Sequence, residues 1–376
     1  MNQTQPLLSR SVQTLFLLFL IFGGLYFSSS FLVPVALAGV LAMLFLPLTR
    51  WLERKGINRT VSSVICVLVL LMVVAGFVFL ITWRVSNLET NLNQIENQAN
   101  RYINQLKIFV NKSFGVSREQ QNQMIKKEGA SGVGSMAAYV AGLVTSVLSS
   151  LTTAVLVLIY IFLIINSRNH FKKFFLRLVN PQDKGKTVII IEETTEIAQK
   201  YISGLAKMIV CLWVMYGIGF SIIGVQNAIF FAILCGTLEI VPFVGNITGT
   251  TLTALMALAQ GGGGSMVISV LITYGLVQFI QSYILQPLIV GKDVDINPLF
   301  TIMVLVLGEA VWGIGGMVLA IPLLGMIKIV FDHIEPLQPY GFLIGGEEKD
   351  QEDNTSFTDK IKGWFKKKFS KSLEKI

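Results

Sequence analysis

Two carboxylates, Glu239 and Glu309, interrupt long apolar runs of this 376-residue sequence. A charge at the centre of a bilayer costs about 2.5–3.5 kcal/mol on insertion scales, so each needs a partner, a proton, water or a place near the interface. A carboxyl in that setting can exchange a proton or bind Na+, and those are the chemistries these two positions suggest. Around Glu239 stand Pro242, Gly245, Asn246 and Thr248. Pro242 lacks a backbone donor and opposes continuation of a helix. Backbone groups freed at membrane depth are tolerated only when buried in protein or facing a wet cavity, so this segment is expected to line one. A second stretch repeats the theme, with Asn297 and Pro298 before it, Glu309, Gly313, Gly315 and Gly316 inside it, and Pro322 beyond. Paired interrupted segments are the pattern expected of substrate sites in secondary transporters; the alternative for Gly313–Gly316 is close helix packing alone. Between the two breaks, Gln278, Gln281, Ser282 and Gln286, with Pro287 following, predict one wet helical face. Amides and hydroxyls of this kind suit a polar neutral solute, and equally suit hydrogen bonds between helices.

Other chemistry finds little support. The two histidines, His170 and His333, form no HExxH or comparable metal spacing. Gly261–Ser265 lacks the Gly-Lys-Ser/Thr ending of a phosphate-binding loop and reads as a flexible connector between spans. Cys66, Cys211 and Cys235 lie inside apolar runs and read as small hydrophobes. The chain therefore reads as a non-enzyme with no cofactor beyond a coupling H+ or Na+.

The elements that must position these groups are membrane helices. Hydrophobic residues make up 53% of the chain and charged ones 14%, an apolar excess that a soluble fold with polar outer faces does not accommodate. About 20 apolar residues are needed to cross the hydrocarbon. Six runs meet that need: Leu15–Phe31, Leu32–Leu48, Val61–Trp83, Met136–Ile165, Met208–Val225 and Met266–Ile289. Ala228–Ala259 and Leu299–Phe331 are longer and broken, each readable as one kinked span or a re-entrant hairpin. The expected fold is thus an all-α integral membrane protein of about eight transmembrane segments, two of them discontinuous or re-entrant. The first two runs, one directly after the other, are expected to form a transmembrane hairpin.

Arg50, Arg54, Lys55 and Arg59 follow the second run against Glu53 alone, which places that loop in the cytoplasm. Counting from there puts both termini and the basic segment 166–207 inside. The resulting organisation is three N-terminal spans (1–83), an extracytoplasmic amphipathic helical insert (84–135), a fourth span (136–165), a cytoplasmic amphipathic segment (166–207), a C-terminal transport region with both breaks (208–331) and a cytoplasmic tail (332–376). The insert repeats apolar residues every three or four positions from Val85 to Phe109, which fits either a subunit seam or a helix lying on the bilayer. Val188 to Ile209 repeats the spacing and leads directly into the fifth span. In the tail, Ile361, Trp364, Phe365 and Phe369 among six lysines read as a surface-bound basic helix with anionic lipid as partner. The net charge of +8 is therefore explained by topology, and nucleic acid is not an expected partner.

Five motifs carry a resemblance to the AI-2E family of transporters: Tyr-Ile-Ser-Gly at Tyr201–Gly204, Glu-Ile-Val-Pro-Phe-Val-Gly at Glu239–Gly245, Gln-Pro-Leu-Ile-Val-Gly-Lys at Gln286–Lys292, Asn-Pro-Leu at Asn297–Leu299, and Gly313–Leu323. The N-terminal half is similar mainly in hydropathy and in its polar insert. The resemblance implies a bacterial inner-membrane permease of about eight spans and a homo-oligomer, with a pentamer among the forms implied. It also implies export of small molecules such as autoinducer-2; other members look like Na+ or Li+/H+ antiporters, and a channel-like oligomeric pore is a further alternative. The sequence departs from the family pattern at Asn246, where proline is frequent, and at Glu309, where glycine is common. The second departure adds a candidate ion or proton ligand.

Overall fold

A computed structural model describes residues 7–89, 151–242, 244–290 and 296–346. Most of the expected insert, the first half of the expected fourth span and the basic tail helix lie outside the described residues. Helix accounts for nearly all of what is described, with no strand among those residues. Among the described residues six helices are long and apolar enough to cross a membrane: Ser29–Arg54, Arg59–Leu80, Thr153–Leu178, Pro181–Ile223, Gly263–Gln286 and Pro298–His333. Many large apolar side chains on these helices point outward, for example Met72, Ile222, Ile272 and Val306, as do Phe19 and Phe27 on the shorter helix before them. An exterior of this kind is matched to lipid, so the chain is a multi-pass membrane protein.

Helix α1 (Leu7–Phe27) passes into α2 (Ser29–Arg54) through the single residue Ser28, at φ −90° and ψ 8°. The Ser28 amide donates to the Gly24 carbonyl and the Leu32 amide to that of Ser28, so helical bonding continues across the joint. The hairpin expected from the sequence is replaced by this one-residue joint, because no loop is present to reverse the chain. Helices α3 (Arg59–Glu89) and α4 (Leu151–Leu178) pack on α2 around Ala38, Ala42, Cys66, Ile161 and Ile165. The small alanines let the helix backbones approach closely, the usual device where lipid supplies no drive for association. At one end of this bundle Arg168 pairs with Glu53, Thr49 accepts a bond from Arg168, and Arg59 reaches the Asn166 carbonyl. The two basic segments assigned to the cytoplasm from sequence are therefore at the same end.

Helix α5 (Lys184–Ile223) is a single 40-residue rod, so the amphipathic stretch and the fifth span are one element. Its buried positions Gly204, Met208, Leu212, Tyr216 and Phe220 recur every four residues and form one stripe. Gly224 ends it in the left-handed conformation, φ 80°, where glycine carries no Cβ penalty. Pro47 lies inside α2 and has no N–H to give the Met43 carbonyl four residues earlier. Gln199 of α5 fills that role, with Nε2 donating to Met43 O at 2.9 Å. Gln199→Leu should therefore leave a part-buried carbonyl unpaired and destabilise the α2–α5 contact by about 1–3 kcal/mol, read as a lower apparent unfolding temperature in detergent.

The second half of the fold is built on α5. Helices α6 (Ala228–Leu238), α7 (Val244–Ala259) and α8 (Gly263–Ile280) surround its buried stripe with Phe230, Phe231, Cys235, Leu252, Met256, Val270 and Val277. The glycine run expected as a flexible connector is a short turn between α7 and α8, with positive φ at Gly261 and Gly263. After α8 the chain continues as a π-helical segment, Gln281–Val290. Helix α9 (Pro298–His333) and the short α10 (Gln338–Ile344) complete the described chain.

Candidate functional site at the break between α6 and α7

The segment 228–259 folds back on itself. At its base Gln260 bonds the Gln226 amide and the Gly224 carbonyl. Midway, the Cys235 thiol lies 3.3 Å from the Thr253 hydroxyl, and a Cβ on Gly249 would come 3.0 Å from the Cys235 sulfur. Near the apex Gly245 lies against the Leu238 carbonyl, where a Cβ would come within 1.7 Å. Three glycine or small-residue contacts thus hold α6 and α7 against each other as one antiparallel helical pair. With 11 and 16 residues, α6 and α7 are about 16 and 24 Å long, each short of the roughly 30 Å hydrocarbon.

Pro242 sits in the turn, and Glu239 caps α6 beside it. The helix break leaves this carboxylate half-buried and turned toward α8. Glu239 Oε1 accepts from Gln278 Nε2 and from Gln281 Nε2, both at 3.0 Å. Gln278 Nε2 also lies 2.9 Å from Asn246 Oδ1 and 3.3 Å from the Tyr216 hydroxyl. Its two hydrogens serve two of these three acceptors at a time. Gln278 on α8 and Gln281 at its C-terminal cap are three residues apart, which puts both on the same side. Glu239 Oε2 and Gln281 Oε1 are buried and have no hydrogen-bond partner among the described residues. The cluster is therefore rich in acceptors: two buried oxygens remain to receive a hydrogen-bond donor or a cation.

Four of the residues singled out from sequence, Glu239, Asn246, Gln278 and Gln281, meet here. Tyr216 is the member that sequence reasoning missed. Its signal was a tyrosine inside an apolar span, whose hydroxyl needs a partner when buried. Thr248 is two positions beyond Asn246 on α7, about 200° round the helix from it. Ser282 and Gln286 are exposed, so the wet face expected over Gln278 to Gln286 is limited to its first two amides. The α-helical spacing of α8 ends at Ile280, and Ser282 and Gln286 belong to the π-helical segment that follows. Pro287 belongs to that π-helical segment. Such departures from α-helix frequently accompany functional sites.

The other break forms a separate feature. Asn297 caps α9 by accepting the Leu299 amide at 2.9 Å, and Pro298 takes the first helical position. Gly313 then adopts φ 59° and ψ −142°, which splits α9 in two. A Cβ on Gly316 would lie 1.9 Å from the Gly308 carbonyl, so the two halves touch near the turn. Trp312 Nε1 donates to the Leu25 carbonyl at 3.0 Å and ties this turn to the α1–α2 joint. Pro322 is buried in the second half. Glu309 is exposed on the first half and takes no part in the Glu239 cluster.

The AI-2E family transporter profile matches residues 15–335. YrrI of Bacillus subtilis, provisionally named a transport protein, is 22% identical over 306 residues, covering 80% of this chain and 86% of YrrI. YueF of the same organism, named likewise, is 24% identical over 348 residues, 86% of this chain and 92% of its own. PerM of Escherichia coli K12, provisionally named a permease, is 25% identical over 319 residues, 82% of this chain and 89% of PerM. With its apolar helices, paired breaks and near full-length match, the chain belongs to the AI-2E transporter family.

Proposed function

We propose that this protein is a secondary transporter of the inner membrane, with its C-terminus cytoplasmic, and that its small solute passes the Glu239 cluster at the apex of a re-entrant α6–α7 hairpin. The observation that carries this reading is the pair of buried, unpartnered oxygens, Glu239 Oε2 and Gln281 Oε1, at a helix break. Interrupted helices are where secondary transporters hold substrate, and a buried acceptor without a donor is unfavourable enough to call for one. A solute bearing hydroxyl donors, as an autoinducer-2-like molecule does, fits such a site. Alternate exposure follows if the hairpin moves against α5 and α8, and no nucleotide is required.

The same oxygens favour a second reading, Na+ or Li+ exchange against H+, because Glu239 supplies the negative charge and Asn246, Gln281 and Tyr216 add neutral oxygens. Both readings are tested in proteoliposomes by pH-gradient-driven Na+ or Li+ flux and by counterflow of a hydroxylated solute, comparing the native chain with Glu239→Gln and Glu309→Gln. Loss in Glu239→Gln alone supports the site, and the substrate that moves decides between the readings. Glu309→Gln is expected to transport at the native rate, since its exposed side chain is separate from the cluster. Native rates in Glu239→Gln for both substrates would sink the proposal.

A further inference from the structure

A cavity of about 920 Å³ opens between α2, α4 and the first half of α5, away from the Glu239 cluster. Its walls are apolar along Val35, Ala42, Leu46, Ile164 and Ile165, while Arg50, Arg168, Lys172, Glu192 and Glu196 stand at its polar end. Three cations thus face two carboxylates. Arg168 is held by Glu53 outside the lining, Lys172 sits 3.7 Å from Glu192 with both side chains well exposed, and Glu196 is 3.1 Å from Lys200. Arg50 forms no ion pair with the described residues.

We propose that this cavity holds one anionic phospholipid, its phosphate on Arg50 and Lys172 and an acyl chain along the α2–α4 wall. Three observations point to a lipid. The cavity grades from apolar to basic along one direction, as an anionic amphiphile does. Its basic end lies beside Trp51, which is half exposed and carries Lys55 Nζ 3.8 Å above its ring; tryptophan and lysine side by side mark headgroup level. That end also shares the basic loop that the positive-inside rule places in the cytoplasm, where anionic lipids are concentrated and basic pockets between helices bind their headgroups. The basic tail of this chain is a poorer occupant, since it would bring positive charge to an end where Arg50 is already unpaired.

The test is phosphatidylglycerol retention by the purified full chain in detergent, read by native mass spectrometry against phosphatidylcholine. One phosphatidylglycerol per chain should survive conditions that strip phosphatidylcholine. Arg50→Gln and Lys172→Gln should each weaken it about fivefold. Gly39 lines the cavity, and a Cβ there meets nothing within 4 Å. Gly39→Phe should therefore place a ring in the path of the acyl chain and weaken lipid retention with every surface charge kept and the unfolding temperature unchanged. Native-level retention in Gly39→Phe would overturn the proposal in favour of lipid at the outer surface, as would phosphatidylcholine binding as tightly as phosphatidylglycerol. A chain lacking residues 347–376 should bind as the native one does; a marked gain would identify the tail as the occupant and overturn the lipid assignment.

Discussion

Glu239→Gln should lower the transport rate about 10–100-fold while leaving the fold intact. The carboxylate Oε1 accepts two amide donors, from Gln278 and Gln281, and hydrogen bonds to a charged group contribute about 1.5–3 kcal/mol each. Losing one such interaction with a bound solute corresponds to about one to two orders of magnitude. Glutamine keeps the shape and one carbonyl for the two amides, so the helices still pack. It replaces the buried Oε2 acceptor by a donor, and that atom is the one a donor-bearing solute or a cation would contact. Initial rates at equal reconstituted protein provide the check, and a rate within a factor of two of native would remove Glu239 from the pathway.

The largest structural effect is expected at Gly245. In Gly245→Ala the new Cβ would lie 1.7 Å from the Leu238 carbonyl oxygen, 2.3 Å from its carbon and 3.0 Å from the Glu239 nitrogen. All three are backbone atoms and cannot swing aside as a side chain would. Overpacking of this sort costs about 1–3 kcal/mol where side chains yield, and this case belongs at or above the upper end. Because the displaced backbone carries Glu239, transport should fall together with the unfolding temperature. Gly275→Ala in α8 is the control: nothing lies within 4 Å of its Cβ, and alanine should be neutral or stabilise the helix by up to about 1 kcal/mol. An unfolding temperature for Gly245→Ala equal to that of the control would contradict the close hairpin apex.

The paired glutamines show how far the sequence alone could be followed. Gln278, Gln281, Ser282 and Gln286 are equally polar in an apolar run, and nothing local separates them. The structure selects the first two, because the α6–α7 apex lies opposite them. The two carboxylates were likewise equivalent in sequence. Glu239 lies at a helix end that faces protein, whereas Glu309 is on an outward surface. Gln199 gave no signal at all, since its role depends on a proline more than 150 positions away in the chain.

By itself the sequence determined that this chain lives in a membrane, which stretches are helical, where two of them break and which polar groups are candidates. These are local quantities: hydropathy over about 20 residues, the missing donor of a proline and the freedom of a glycine are set by a residue and its neighbours. Tertiary structure alone decided that the α6–α7 stretch doubles back, that α1 meets α2 at a one-residue joint, and that Glu239 meets Gln278, Gln281, Asn246 and Tyr216. Those outcomes depend on which faces of separate helices are brought together. That choice is made by small-residue contacts such as Gly249 on Cys235 and Gly245 on Leu238, where a difference of one methyl group decides whether two backbones can meet.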